Sequence, residues 1–165
     1  MNVSTIADVA LSKVENIDIS FLGREGILFP NTLPKEWNIL PDEWDRVMEE
    51  KGILNLHDHE LSVYLERWLR LLGHAYWVRG IKEANILVLE KAADHIKDIV
   101  FSSASGGREQ KAAIAGSNEQ FLRVDSALTE CRYQLTILNG IIYKWEKIEF
   151  SISRAITNRS GRPLR

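Results

Sequence analysis

Two long stretches with helical periodicity constrain the fold of this chain more than any other sequence feature. Apolar residues recur at three- and four-residue steps from about residue 60 to 100, and again from about 108 to 157. The segment 102–107 between them is rich in serine and glycine, which favour a flexible connector. We therefore predict an all-α fold built on a long helical hairpin. The first stripe comprises Leu61, Leu65, Trp68, Leu69, Leu72, Trp77, Ile81, Ile86, Leu89, Ala93 and Ile96.

The second stretch carries two apolar stripes, and we expect a break in it near 116–118. One stripe follows near-heptad spacing from Leu128 through Cys131 to Ile156, with Glu149 in its one polar position. A helix that packs on a single partner needs only one stripe. We therefore predict that the second stripe contacts another subunit of a homo-oligomer; the alternative is a fuller core completed by residues 1–40. This stripe consists of Tyr133, Ile137, Ile141 and Ile148.

Residues 1–40 lack long periodicity and are predicted to form a small irregular N-terminal arm. Positions 4–14 have the pattern of a short helix, and positions 17–22 alternate like a short strand. Prolines at 30, 34 and 41 exclude a long element at the end of the arm. The predicted organisation is thus an arm over 1–40 and a helical domain over 41–165.

A short helix is predicted over residues 43–51, at the start of the helical domain. Asp42 is placed to accept hydrogen bonds from its first backbone N–H groups. Gly52 can adopt the left-handed conformation that commonly ends a helix.

Composition excludes several classes of protein. A chain of 165 residues with 45% apolar content can bury one ordinary core. No apolar run approaches the roughly 20 residues that span a bilayer, and the N-terminus lacks the features of a secretory signal. The single cysteine, Cys131, cannot form an internal disulfide. We therefore expect a cytoplasmic protein that does not enter a membrane.

No pattern in the sequence indicates catalysis. The row of potential ligands at 57–60 is consecutive, so its side chains point in different directions, whereas a metal needs ligands that converge. Asp58 and Glu60 are better explained as a helix cap and a partner of the helix dipole. The glycines at 106–107 are followed by Arg108 rather than by the lysine pattern of a phosphate-binding loop. We predict no enzyme activity, no metal and no cofactor.

Charge is distributed unevenly along the chain. Residues 1–60 hold 12 Asp/Glu and 5 Lys/Arg, a balance of −7, whereas residues 61–165 hold 11 and 16, a balance of +5. Such an asymmetry is typical of an acidic arm attached to a part that meets a polyanion. A solvated helical surface is the simpler explanation of the same counts.

The segment 111–128, which reads KAAIAGSNEQFLRVDSAL, resembles the segment that precedes the final helices in the UvsY family of phage recombination mediators. In that family an aliphatic residue, small residues, an acid or amide and then Leu-Lys-Val-Asp-Thr-Ser-Leu follow in the same order. The likeness continues at Gly140, Phe150 and Ile152. Upstream, Trp77 and the stretch 81–83 resemble the family's first long helix. The resemblance therefore covers about residues 40–157.

The resemblance implies a recombination mediator. Such a protein binds single-stranded DNA and promotes the loading of a RecA-like recombinase onto strands coated by single-strand-binding protein. It also implies a homo-oligomer in the form of a ring, located in the cytoplasm of an infected host cell. The family carries a Lys-Ala-Arg-Leu stretch before its inter-helix loop; the corresponding place here is 95–98, where Lys97 matches.

Four cations flank the predicted connector: Lys91, Lys97, Arg108 and Lys111. A hairpin would bring them together at one end, where they could hold the phosphates of a single strand. Phe101, beside the connector, could either stack on a base or cap the core of the hairpin. Several subunits would multiply these weak contacts. Two alternatives remain open. The DNA-binding cations could instead be those at 154–165, or the chain could be a structural coiled-coil oligomer or adaptor with no nucleic-acid role.

Overall fold

The computed structural model describes residues 2–15 and 34–160, and all regular secondary structure in these ranges is helical, as predicted. Two helices, of 46 and 42 residues, are much longer than the others. None of the described helices combines the length and the apolar character needed to cross a membrane. The α-helices are α1 (Val3–Glu15), α2 (Ile39–Glu50), α3 (Asp58–Ser103), α4 (Arg108–Gly116) and α5 (Glu119–Ser160), with short 3-10 turns at Lys35–Trp37 and Ile53–Asn55.

Helix α2 begins earlier than the sequence predicted. It starts at Ile39, so Asp42 lies within its first turn and does not cap it; the preceding Asn38 makes no side-chain capping bond either. Pro41 is tolerated because N–H groups in the first turn have no partner within the helix. The predicted end is confirmed: Gly52 has φ 69°, and its N–H donates to the carbonyl of Val47 at 3.2 Å.

The predicted break near 116–118 is confirmed, and it separates α4 from α5. The Asn118 carboxamide oxygen accepts the N–H groups of Gln120 and Phe121 at 3.0 and 3.1 Å, which makes it the N-cap of α5. The connector before α4 is shorter than predicted, because α3 continues through Ser103. Only residues 104–107 separate these two helices. The predicted strand at 17–22 lies outside the described residues.

The described residues divide into two compact units, each built from separate stretches of the chain. Unit 1 contains residues 2–15 and 79–137, and unit 2 contains residues 34–78 and 138–160. Both α3 and α5 therefore supply residues to each unit. Helix α1 belongs to unit 1 and the turn at Lys35–Trp37 to unit 2. The predicted division into an arm over 1–40 and a helical domain over 41–165 stays a prediction.

The core of unit 1 joins α1 to the later part of α3 and the first part of α5. Helix α1 places the small residues Ala7 and Ala10 in this core, where they allow close packing. The beginning of the predicted arm is thus an integral part of a folded core. The buried residues of this cluster are Ile6, Ala7, Ala10, Leu89, Ala92, Ala93, Ile96, Val124, Leu128 and Cys131.

The core of unit 2 is rich in tryptophan. Trp145 of α5 packs against Trp37 and Trp68, with ring centroids 4.9 and 5.7 Å apart. One residue of the predicted α3 stripe lies elsewhere: Leu69 is 51% exposed, whereas Leu71 is fully buried. The buried residues of this cluster are Leu40, Trp44, Leu56, Leu61, Trp68, Leu71, Leu72, Ala75, Leu138, Ile142, Trp145 and Ile152.

The two predicted stripes of α5 have different environments. The near-heptad stripe faces the two cores, as expected for the side that packs within the chain. In the second stripe, Tyr133 and Ile137 of unit 1 are exposed, whereas Ile141 and Ile148 are half-buried against the core of unit 2. The oligomer interface at these four residues stays a prediction, and only the first two present a substantial free apolar surface.

Candidate nucleic-acid interface

The four cations predicted to bind DNA all lie in unit 1. Lys97 is close to the end of α3, Lys91 lies about 18 Å before that end along the helix axis, and Arg108 and Lys111 belong to the first turn of α4. Lys91, Lys97 and Arg108 are exposed, and Lys111 is half-buried. Lys91 and Lys97 stand beside buried core residues of α3, so the helix presents them to solvent while the neighbouring positions hold the core. Arg108 is the first residue of α4.

Two of these cations lie over phenyl rings. The Lys97 ammonium is 5.7 Å from the ring centroid of Phe121 on α5, and the Lys111 ammonium is 6.0 Å from that of Phe101 on α3. Such contacts contribute about 0.5–1 kcal/mol at exposed sites. Lys111 covers one face of the Phe101 ring, and the ring is half-buried. Phe101 is therefore a support for a cation rather than an open stacking surface.

None of the four cations forms an ion pair with any residue in the described ranges, so their charge is not neutralised by direct contact. Acidic residues do interleave with them along the chain. Residues 91–111 contain the four cations together with Asp94, Asp98 and Glu109. The local excess of positive charge is therefore small, and any attraction for a polyanion depends on the accessibility of the individual ammonium and guanidinium groups.

The acidic and histidine residues at 57–60 serve the start of α3. His57 is the N-cap, because its carbonyl accepts the N–H of Leu61 at 3.0 Å, and its own N–H donates to the Glu60 carboxylate at 2.7 Å. That bond, with the nearby Lys51 ammonium, lowers the pKa of Glu60. Asp58 pairs with Arg159 at 2.9 Å and is not the cap that the sequence predicted. Within the described ranges, no cluster of His, Cys, Asp or Glu could hold a metal ion.

Arg159, one of the rival basic residues near the C-terminus, has a structural role. Its guanidinium donates to the carbonyls of Leu56, Leu54 and Ile53 at 2.6, 2.9 and 3.3 Å, and to the Asp58 carboxylate. It thereby satisfies the carbonyls of the 3-10 turn that precedes α3. A guanidinium that makes these hydrogen bonds is not available to bind a phosphate.

The solvent face of α5 in unit 2 was not predicted from the sequence, although Arg154 belongs to the rival cations at 154–165. Tyr143, Lys147, Phe150 and Arg154 are all exposed there. Their spacing of four, three and four residues places them on one face of the helix. The Lys147 ammonium lies 5.0 Å from the ring centroid of Tyr143. The alternation of aromatic and basic residues at helical spacing could have predicted this face from the sequence.

Grooves flank this face of α5 on both sides. One, of about 560 Å³, lies against α2 and is lined by Trp44, Met48 and Ile53 together with residues of α5. The other, of about 570 Å³, lies against α3 and includes Leu69 and Gly73. Lys147 lines both grooves, so it stands on the ridge between them.

Comparison of the chain with protein-family models, with curated proteins and with solved structures gives no match.

Proposed function

We propose that this protein is a recombination mediator that binds single-stranded DNA and promotes the loading of a RecA-like recombinase onto strands coated by single-strand-binding protein. The observation that carries the proposal is the group of four cations in the later part of α3 and the first turn of α4, which form no ion pair within the described residues. The resemblance of segment 111–128 to the UvsY family supports single-stranded DNA as the polyanion.

Within this proposal, α3 and α5 form a helical hairpin whose connecting end carries Lys91, Lys97, Arg108 and Lys111. Two contacts between these helices within unit 1 support the antiparallel arrangement. Lys82 of α3 donates to Gln134 of α5 at 2.6 Å, and Arg132 of α5 pairs with Glu90 of α3 at 2.6 Å. As one contact advances along α3, its partner moves back along α5. Phosphate contacts at the connecting end carry no base information, so binding is independent of sequence.

The mediator also requires a homo-oligomer, because a few phosphate contacts per subunit give weak binding. Linking several subunits raises the effective concentration of the remaining sites once one is bound. The exposed residues Tyr133 and Ile137 supply apolar surface for such an assembly. A ring is the form that the family resemblance implies.

The test is a titration of fluorescein-labelled oligothymidylate, and of a duplex of equal length, at two salt concentrations. The proposal expects tighter binding of the single strand and an affinity that falls as salt rises, because phosphate contacts release counterions. A second assay follows recombinase loading onto strands coated by single-strand-binding protein. Equal affinity for both DNA forms, or loading that is unaffected by the protein, would contradict the mediator function.

The second candidate is a structural coiled-coil oligomer or adaptor without a nucleic-acid role. It is favoured by the large apolar side chains that α5 exposes, including Leu122, Tyr133 and Ile137. An assembled protein that binds neither form of DNA at low salt would support this candidate and exclude the first.

A further inference from the structure

We propose that the solvent face of α5 in unit 2 is a second contact surface for the single strand, at which bases stack on Tyr143 and Phe150 while Lys144, Lys147 and Arg154 hold phosphates. This inference rests on the proposed function, since it names the ligand as single-stranded DNA. It adds a base-stacking site to a protein whose first candidate site supplies cations without an open aromatic face. We call these five residues the α5 stripe.

The two rings of the stripe are unusually accessible. Tyr143 is 61% exposed even with the Lys147 ammonium 5.0 Å from its ring centroid, whereas Phe101 is half-buried beneath Lys111. Phe150 is 60% exposed, although aromatic side chains usually bury most of their large apolar surface. Seven residues separate them, which places them about 10 Å apart along the helix axis and within about 20° of the same direction. Two bases of one extended strand can therefore approach both rings from one side. Stacking of this kind tolerates any sequence, because every base has a π face.

The cations of the stripe stand on one flank of these rings. Relative to Tyr143, helical geometry places Arg154, Lys147 and Lys144 at roughly 20°, 40° and 100° around the axis in one direction. Lys147 and Arg154 form no ion pair with any described residue. Lys144 lies 3.7 Å from Asp45, but both side chains are more than half exposed, so this pair is weak and open to exchange.

The carboxylates of the same helix segment stand on the opposite flank and have partners. Glu146 and Glu149 lie at roughly 60° and 120° from Tyr143 in the other direction. Glu146 accepts the hydroxyl of Tyr76, and Glu149 accepts that of Ser153 at 2.7 Å. A strand can therefore run with its phosphates along the basic flank and its bases over the rings.

The distribution of charge along the chain also favours this surface. Residues 79–137 contain eight Lys/Arg and eight Asp/Glu, so they contribute nothing to the positive excess of the second half. Residues 138–165 contain six Lys/Arg and two Glu. Most of the excess therefore belongs to the part of the chain that includes the α5 stripe. A polyanion with planar, stackable groups accounts for both the positive charge and the exposed rings. Contact with a second copy of this chain would account only for the exposed rings.

The experiment measures binding of labelled oligothymidylate and of an abasic strand of the same length, by fluorescence anisotropy of the full chain. Three variants are compared with the unchanged protein. Tyr143→Leu with Phe150→Leu removes the rings and keeps apolar side chains. Tyr143→Phe with Phe150→Tyr is the matched control that keeps both rings. Lys147→Gln with Arg154→Gln removes two of the three positive charges. Circular dichroism and light scattering verify that helicity and oligomer mass are retained.

We expect the leucine variant to bind the intact strand roughly fivefold or more weakly for each ring lost, and the ring-preserving variant to bind it normally. The leucine variant and the unchanged protein should bind the abasic strand equally, because no base is present to stack. The glutamine variant should show a flatter dependence of affinity on salt, whereas the leucine variant should not.

Equal losses on intact and abasic strands, or no loss, would overturn the stacking site. A leucine variant with a smaller oligomer mass and unchanged affinity per subunit would overturn it in favour of an interface between copies. If the unchanged protein binds the single strand and only substitutions at Lys97, Arg108 and Lys111 weaken binding, the stripe fails while the proposed function stands. If the unchanged protein binds no single strand at all, both fail.

Discussion

Arg67 of α3 holds the carboxylate of Glu43 on α2 with both arms of its guanidinium, at 2.8 Å to Oε1 and 2.7 Å to Oε2. Its Nε donates to Glu36 at 2.8 Å, and the Tyr64 hydroxyl also donates to Glu43. The arginine thus ties α2 and the turn at Lys35–Trp37 to α3. Hydrogen bonding to Arg67 lowers the pKa of Glu43, and burial together with the Glu43 carboxylate raises the pKa of Tyr64 to about 12.

Replacing Arg67 with Met should destabilise the protein by about 1–2 kcal/mol, between the values for exposed and buried pairs. The side chains of Arg67 and Glu43 are only 21% and 31% exposed. Removing the guanidinium therefore leaves the Glu43 carboxylate unpaired in a poorly solvated position. Urea denaturation followed by circular dichroism measures the change. Arg70→Met is the matched control, because the Arg70–Glu66 pair is 61% and 74% exposed and should contribute little. Equal effects of the two substitutions would contradict this account.

The same pair predicts a pH dependence. The folded state lowers the pKa of Glu43. The ion pair therefore stabilises the fold at pH values above the unfolded pKa of about 4.5, and this stabilisation is lost as the pH falls through the folded pKa. The difference in stability between the unchanged protein and Arg67→Met should therefore shrink below pH 4.5. A difference that stays constant across that range would count against the ion pair.

His74 should make stability depend on pH in a higher range. Its side chain is buried, its Nδ1 has no hydrogen-bond partner among residues 2–15 and 34–160, and its ring lies 5.5 Å from that of Trp37. Burial lowers its pKa from 6.5, so the unfolded state binds the proton more readily. Stability should be greatest above about pH 6.5 and decline as pH falls toward the folded pKa. His74→Phe should remove that decline between pH 7.5 and 5.5, whereas His95→Asn, at an exposed position, should keep it.

Arg159→Ala should cost about 1–3 kcal/mol, because it removes the donors that satisfy the carbonyls of Ile53, Leu54 and Leu56. Lysine at this position should restore only part of the loss, since one ammonium cannot reproduce the planar fork of a guanidinium. Thermal unfolding compares these variants with Arg154→Ala, which removes an exposed charge and should change stability by less than about 0.5 kcal/mol. Full recovery by lysine would show that charge alone is sufficient.

Tyr133→Ser with Ile137→Glu should reduce the oligomer mass while leaving helicity unchanged, because both side chains are exposed within one chain. Light scattering after gel filtration measures the mass. Ile141→Glu is the contrasting variant: its half-buried side chain packs on the core of unit 2, so it should lower the unfolding temperature. A monomer at tens of micromolar before any substitution would exclude the homo-oligomer itself.

Removing Lys97, Arg108 and Lys111 by alanine substitution should weaken single-strand binding about tenfold, or ~1.4 kcal/mol. The slope of log affinity against log salt should become less negative by roughly 2, because each lost contact with a single-strand phosphate contributes about 0.7. The matched control replaces three cations of unit 2, Lys35, Arg46 and Arg70, so the net charge changes equally. If the control weakens binding as much, the effect is general electrostatics and the local site is wrong.

Periodicity predicted the helical class, the two long helices, the break before α5 and most of the buried stripe, because each depends on residues close together in sequence. Periodicity did not predict which face of a long helix is buried where a third helix or turn packs on it. Leu69 matches the α3 stripe, yet Leu71 is buried and Leu69 is not. The reason is that α2 and the turn at Lys35–Trp37 pack on one side of α3. No local pattern records the position of those elements.

The candidate DNA site was predicted as a set of cations, and sequence alone could not assign their neighbours. The ring contacts of Lys97 and Lys111 join residues of different helices, so they depend on tertiary packing. Arg159 illustrates the same limit, since its role is set by a turn about 100 residues earlier in the chain. The N-cap of α5, in contrast, could be predicted from the sequence, because Asn118 stands directly before a helical pattern.

The distribution of two residue types between the units makes each unit observable separately. All five tryptophans lie at positions that belong to unit 2, and the only cysteine, Cys131, is buried in the core of unit 1. Intrinsic fluorescence therefore reports the opening of unit 2, while the rate of thiol labelling reports the opening of unit 1. The unchanged protein in rising urea would then show whether the two units lose their structure together or in succession, without any engineered probe.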